Sequence, residues 1–199
     1  DNKGWANDEL VDSENGNYDY LMYADLDFKH PDVIKNLYDW AKWFIETTGI
    51  RGFRLDAVKH IDSFFMANFI RDILQEYGDD FYVFGEFWNN DEVANNDYLE
   101  NIDYRFDLVD VKLHTNLFEA SQKGEEYDLR TIFDHTLVKN HPESAVTFIE
   151  NHDTQRGQAL ESTVEEWFKP AAYALILLRE SGLPCIFYGD YYGINGEFA

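Results

Sequence analysis

The chain has 199 residues, 45% apolar and 17% aromatic, enough to build a globular unit with an ample core. Its 16 Lys and Arg stand against 39 Asp and Glu, a formal net charge of −23 that repels nucleic acid and anionic membranes and leaves neutral ligands and cations as partners. No apolar run is long enough to span a membrane, and a single cysteine, Cys185, excludes an intrachain disulfide.

Residues 1–30 are rich in Asp, Asn, Gly and Tyr with little periodicity, and read as a loop-like excursion ahead of the regular segment 31–199. From Pro31 the apolar positions Val33, Ile34, Leu37, Trp40, Ala41, Phe44 and Ile45 follow helical spacing, with Pro31 placed to start the helix and Gly49 to stop it. Residues 50–55 then read as a strand. Asp62 or Ser63 can cap a second helix that carries Phe65, Phe69, Ile70, Ile73 and Leu74 to a stop at Gly78, before a strand at 81–84. Further strands are expected at 106–111 and 145–150, with helical stretches at 113–121 and 129–138 between them. Ser162-Thr-Val-Glu165 has the form of a capping box, and its helix is expected to run to Gly182 with Pro170 kinking or splitting it. Residues 183–188 close the pattern as a strand, with Cys185 a buried thiol.

Five strands separated by helices leave two α/β architectures, an open doubly wound sheet or a barrel. No Gly-x-Gly-x-x-Gly follows any strand, which disfavours a dinucleotide fold. Three of the strands lead into acids: Asp56, Glu86 and Asp153. The first two lie 86 − 56 = 30 positions apart, the length of one strand, helix and returning parallel strand, and the third lies about two units further on. Parallel neighbours share one carboxyl-end rim, where barrel enzymes carry their chemistry. The expected fold is therefore a (β/α)8 TIM barrel. Since about five βα units cannot close a ring of eight, the chain reads as the later portion of a barrel whose first strands precede Asp1. One acid at a strand end is as often a helix cap as a catalyst. Arg54, two residues before Asp56, shares its face of the strand and needs an acid partner, either Asp56 or another acid in a structural salt bridge.

Three segments carry a family resemblance: Gly52-Phe-Arg-Leu-Asp-Ala-Val-Lys-His60, Gly85-Glu-Phe-Trp88 and Phe148-Ile-Glu-Asn-His-Asp-Thr154. In order and spacing they resemble signature segments of the α-amylase family, glycoside hydrolase family 13. The likeness continues through Glu14 to Asp25, Thr163 to Pro170 and Phe187 to Asp190, and is greatest to bacterial liquefying and intracellular α-amylases. The resemblance implies Asp56 as nucleophile, Glu86 as general acid and base, and Asp153 as the carboxylate that steadies the distorted sugar. It also implies that Arg54 aims Asp56, that Lys59 and His60 bind the leaving side, that His152 binds the cleaved sugar and that Trp88 borders the cleft. Acetal cleavage needs the same parts, a proton for the leaving oxygen and negative charge beside the cation-like sugar. The expected activity is retaining endo-hydrolysis of α-1,4-glucosidic bonds in starch, glycogen or maltodextrins. The alternative is a non-catalytic glucan-binding or inactive barrel fragment. His30, His114, His135 and His141 lie in no motif and receive no function.

Asp8, Asp19, Asp25 and Asp27, mixed with Asn and backbone carbonyls, form an all-oxygen set suited to a hard cation such as Ca²⁺, or else a solvated acidic loop. The resemblance implies that matching Asp positions hold calcium as the tail of an inserted loop domain, with the residue matching His60 lending its carbonyl oxygen. Lys29 departs from the acid found there in close relatives, which speaks against a multi-ion cluster. The start at Asp1, without an initiator Met or signal-peptide pattern, reads as a fragment or processed chain. With its single thiol it leans toward a bacterial cytoplasm, secretion remaining open.

Overall fold

In the computed structural model Val11 and residues 26–194 are described. Their elements run α1 (Pro31–Thr48), β1 (Gly52–Leu55), α2 (Ser63–Tyr77), β2 (Tyr82–Gly85), α3 (Glu92–Asn101), β3 (Asp107–Val109), α4 (Val111–Lys123), α5 (Leu137–Asn140), β4 (Ala145–Phe148), α6 (Lys169–Leu177), β5 (Leu183–Cys185) and α7 (Tyr188–Tyr192). The chain packs as two compact units. Among the described residues, one holds those up to Trp88 together with Asn96–Phe106, the other Asn89–Asn95 and those from Asp107 to Ile194.

In the first unit β1 and β2 pair in parallel, from Gly52 opposite Tyr82 to Leu55 opposite Gly85. The crossover helix α2 starts where Asp62 Oδ1 accepts the Phe65 N–H at 2.7 Å and ends at Gly78, whose N–H donates to Leu74 O. It buries Phe65, Met66, Phe69, Ile70 and Ile73. At roughly 1.5–3 kcal/mol each, those five side chains outweigh the cap, worth about 1 kcal/mol. Helix α1 stops at Gly49, which adopts φ 70° and donates to Ile45 O at 2.8 Å. Its buried contacts are Ala41 and Ile45, while Trp40, expected on the same stripe, is 50% exposed and stacked on Phe44 at 5.4 Å. Trp40 sits one residue before Ala41, about 100° around the helix from it, and so turns off the buried line.

In the second unit β3 pairs with β4 and β4 with β5, all parallel, with Val109 opposite Val146 and Phe148 opposite Cys185. All four residues of β4 are buried, as in a parallel strand covered on both faces. Asp110 leaves the β3 ladder to cap α4, accepting Leu113 N–H at 2.9 Å, and its other oxygen accepts Val138 N–H at 2.8 Å from α5. That is why the strand expected to reach 111 ends at Val109.

Several expectations need correction. The stretch 129–138 is not one helix but a 3-10 turn at Leu129–Thr131 and then α5, separated by His135 at φ 60°. Ser162 to Glu165 do not open a helix: Val164 N–H donates to Glu150 and Glu165 N–H to Ser121 Oγ, so the would-be capped donors have partners elsewhere. Helix α6 begins at Lys169 and ends at Leu177, short of Gly182, with Pro170 in its first turn, where a missing N–H is harmless. Helix α3, absent from the sequence reading, is capped by Asp91, whose Oδ1 accepts Ala94 N–H at 2.9 Å. Cys185 is exposed rather than buried, because β5 is an edge strand among the described residues.

Gly52 allows the β1–β2 approach: a Cβ there would stand 2.2 Å from Tyr82 O, a backbone atom that moves only if the strands part. Gly52→Ala is expected to destabilise the protein by about 2–3 kcal/mol, a fall of roughly 4–12 °C in Tm. A thermal melt checks it, and an unchanged Tm would show that the strands can part freely.

Candidate active site

The site is built where β1 and β2 end. Their register places Leu55 beside Gly85, so Asp56 and Glu86 follow at equivalent positions, and Glu86 N–H donates to Leu55 O at 2.8 Å. Asp56 is followed by Ala57 in the left-handed region, φ 48°, a conformation that strains any residue with a Cβ. This turn aims the Ala57 N–H at Glu86 Oε2, 3.3 Å away, while Val58 N–H reaches Glu86 O at 3.1 Å. The chain then tightens into the 3-10 turn Val58–His60, which carries Lys59 and His60, both half-buried.

Arg54 joins the two acids. Nη1 lies 2.8 Å from Asp56 Oδ1 and Nη2 lies 3.0 Å from Glu86 Oε1. The strand alternation that put Arg54 and Asp56 on one face is thus realised, with a second acid on the same fork. The two carboxyls differ in setting. The Asp56 side chain is 73% exposed, whereas Glu86 is 8% exposed. Burial raises the Glu86 pKa above the ordinary glutamate value; Arg54 and the Ala57 N–H oppose the rise and the Asp56 charge adds to it. Such a pair can divide labour between an ionised acid and one that holds a proton. Phe87, buried behind Glu86 and stacked on Tyr98 at 4.4 Å, supplies part of the apolar wall, and Trp88 is half-buried beside it.

In the second unit the chain leaving β4 makes a tight turn. Asn151 Oδ1 accepts the N–H groups of Asp153 and Thr154, each at 2.9 Å, and Asn151 N–H donates to Thr154 Oγ1 at 2.9 Å. Asp153 stands at this turn with Oδ2 3.2 Å from His152 Nε2. Within that segment Glu150 points the other way, into the interior, a residue the sequence reading passed over.

Of the residues expected to hold a metal, Asp8, Asp19 and Asp25 lie outside the described residues. Asp27 is exposed, with Oδ1 accepting Lys29 N–H at 2.9 Å, and His60 stands at the end of the 3-10 turn. Among the described residues no group of three or more His, Cys, Asp or Glu is arranged to hold an ion. Nor does any described helix have the length and apolarity to cross a membrane.

The sequence model of the α-amylase catalytic domain matches residues 1–198. A glucan 1,4-alpha-maltohexaosidase of Bacillus sp. (strain 707) is 52% identical over 192 residues, 96% of this chain and 37% of that protein. A cytoplasmic alpha-amylase of Escherichia coli (strain K12) is 44% identical over 195 residues, 98% of this chain and 39% of that protein. The crystal structure of the alpha-amylase of Geobacillus thermoleovorans in complex with acarbose superposes with a TM-score of 0.67 at 28% identity, covering 87% of this chain and 40% of that one. The chain thus spans little more than a third of the length of these relatives. With parallel strands, crossover helices and paired acids at the strand ends, it belongs to the α-amylase family and carries the later portion of that family's (β/α)8 catalytic barrel.

Proposed function

We propose that the protein containing this chain hydrolyses α-1,4-glucosidic bonds within starch, glycogen or maltodextrins with retention of configuration. The observation that carries the reading is the Arg54 fork, which touches one exposed carboxylate and one buried carboxyl at once. Retention needs two carboxyl groups about 5–5.5 Å apart, one ionised and one protonated. A shared guanidinium is compatible with that closeness, and the contrast in burial supports this division of roles.

Asp56, exposed and held by Arg54, attacks the anomeric carbon and forms the glycosyl ester. Glu86, with its raised pKa, gives its proton to the departing glycosidic oxygen, then removes one from the water that cleaves the ester. Asp153 and His152 are assigned to the sugar in the cleaved subsite, Lys59 and His60 to the leaving side, and Trp88 to the cleft wall. The substrate is neutral, which suits a chain of net charge −23.

Release of reducing ends from soluble starch by the intact protein tests the assignment. Glu86→Gln is expected to lower turnover about 10²–10⁴-fold, and Asp56→Asn at least as much. Retained turnover in either variant removes that residue from its role.

Arg54 governs the pH dependence with a definite sign. Its positive charge lowers the Glu86 pKa, so Arg54→Ala lets it climb further, and the alkaline limb of the kcat/KM profile, set by loss of the Glu86 proton, moves to higher pH while kcat falls. A limb that stays in place or moves to lower pH contradicts the assignment.

Calcium belongs to the same proposal. The oxygen donors of Asp8, Asp19, Asp25 and Asp27 with the His60 carbonyl suit a hard cation that would brace the turn after Asp56. When bound, it supplies structural charge balance. An ion present at 100 times its dissociation constant stabilises by about 2.7 kcal/mol, so chelation is expected to lower Tm and its readdition to restore it. An unchanged melt excludes the ion.

A further inference from the structure

Two buried polar side chains outside the proposed chemistry bond the chain near the exit of β4. His114, on α4, is 1% exposed and stacked on Phe148 at 5.0 Å with the ring planes 9° apart. Its Nδ1 lies 2.7 Å from Ile149 O and its Nε2 lies 2.8 Å from Ser162 Oγ. A carbonyl can only accept, so Nδ1 carries the hydrogen and Nε2 is the acceptor; the single Ser162 hydroxyl hydrogen has two acceptors in reach, Nε2 and Leu160 O at 2.9 Å. Glu150, 3% exposed, accepts the Val164 N–H on Oε1 at 2.8 Å.

These contacts tie the same two stretches of chain. Residues 149–151 leave the strand and lead into the turn that bears His152 and Asp153, and residues 162–164 return. The backbone closes the neck above them: Ser162 N–H donates to Thr154 O at 2.9 Å and Thr163 Oγ1 to the same carbonyl at 3.1 Å. Thr154 is completely buried.

We propose that His114 and Glu150 are positioning residues that hold both sides of this neck from beneath, so that the turn above presents Asp153 in one orientation. The proposal rests on the reading of Asp153 as the third carboxylate. Both groups work uncharged. Burial pushes the His114 imidazole down to about 4, against the Ile149 carbonyl, which favours its charged form. Burial first, then the Asp190 and Glu166 charges, push the Glu150 carboxyl up to about 8, against Val164 N–H and Lys169, which favour ionisation. Lys169 stays engaged by Asp190 Oδ1 at 2.8 Å and Glu166 Oε1 at 2.9 Å. It pairs with those two acids, and Glu150 is left as a neutral acceptor.

The test uses the intact protein with a maltooligosaccharide substrate and amide hydrogen exchange. Glu150→Leu and His114→Phe, which keep the bulk and lose the hydrogen bonds, are expected to lower kcat about 10- to 100-fold with KM within about twofold. Exchange should quicken at 151–164 and stay unchanged in α4. Glu150→Gln retains a carbonyl acceptor and should return kcat to within about threefold of the parent. Should His114→Phe fail to fold, Ser162→Ala removes the hydroxyl alone and should show the same exchange pattern in weaker form. A Glu150→Gln protein as slow as Glu150→Leu, or unaltered exchange at 151–164, overturns the proposal. Asp153→Asn separates the two claims: full turnover in that variant rejects the role of Asp153, while the exchange pattern still decides whether His114 and Glu150 hold the neck.

Discussion

One guanidinium shared by two carboxyl groups is the constraint on which the site depends. A single positive charge cannot fully neutralise two acids, and ionisation costs more for Glu86, which burial separates from water, than for Asp56, which keeps most of its hydration. The division is made by depth rather than by residue type. Arg54 keeps both groups in reach by its fixed fork, a geometry a lysine could not reproduce with a point charge.

The fork can reach both acids only because β1 and β2 lie close and in one register. Gly52 gives up its side chain to the backbone of Tyr82, and Gly85, immediately before Glu86, gives up its side chain to the Phe106 ring, whose Cε2 would stand 2.7 Å from a Cβ. Ala57 contributes in another way. Its left-handed conformation is unfavourable for a residue with a Cβ, yet it turns a backbone N–H toward Glu86 immediately after Asp56. Packing density and local strain both converge on the two acids.

Features with local causes were legible in the sequence. The Pro31 start and Gly49 stop of α1, the Asp62 cap of α2 and the pairing of Arg54 with Asp56 follow from spacing and stereochemistry within a few residues. Features settled by partners distant in sequence were not. Ser162 to Glu165 match a capping box, but Glu150 and Ser121 take the N–H groups that such a box would satisfy. Helix α3 hides because its Asn and acidic residues blur the apolar period, and only its later turns offer Tyr98 and Leu99 for burial. His114 carries no motif, since its partners lie 35 and 48 residues away. At the site, the types and order of the acids were readable; the second contact of Arg54, with Glu86, required the strand register.

Among the described residues, burial raises the carboxyl pKa of three acids, Asp110, Glu150 and Glu86, in a chain whose net charge of −23 leaves no shortage of exposed ones, and their partners differ in kind. Asp110 accepts backbone N–H groups on both oxygens and joins β3, α4 and α5. Glu150 has one such donor and fixes a loop neck. Glu86 has an arginine and a longer contact to one strained N–H. Asp110 and Glu150 are held by main-chain N–H groups, whereas Glu86 is held by the Arg54 side chain and, at longer range, by the Ala57 N–H. The role proposed for Glu86, giving up and regaining a proton, fits that difference in partners.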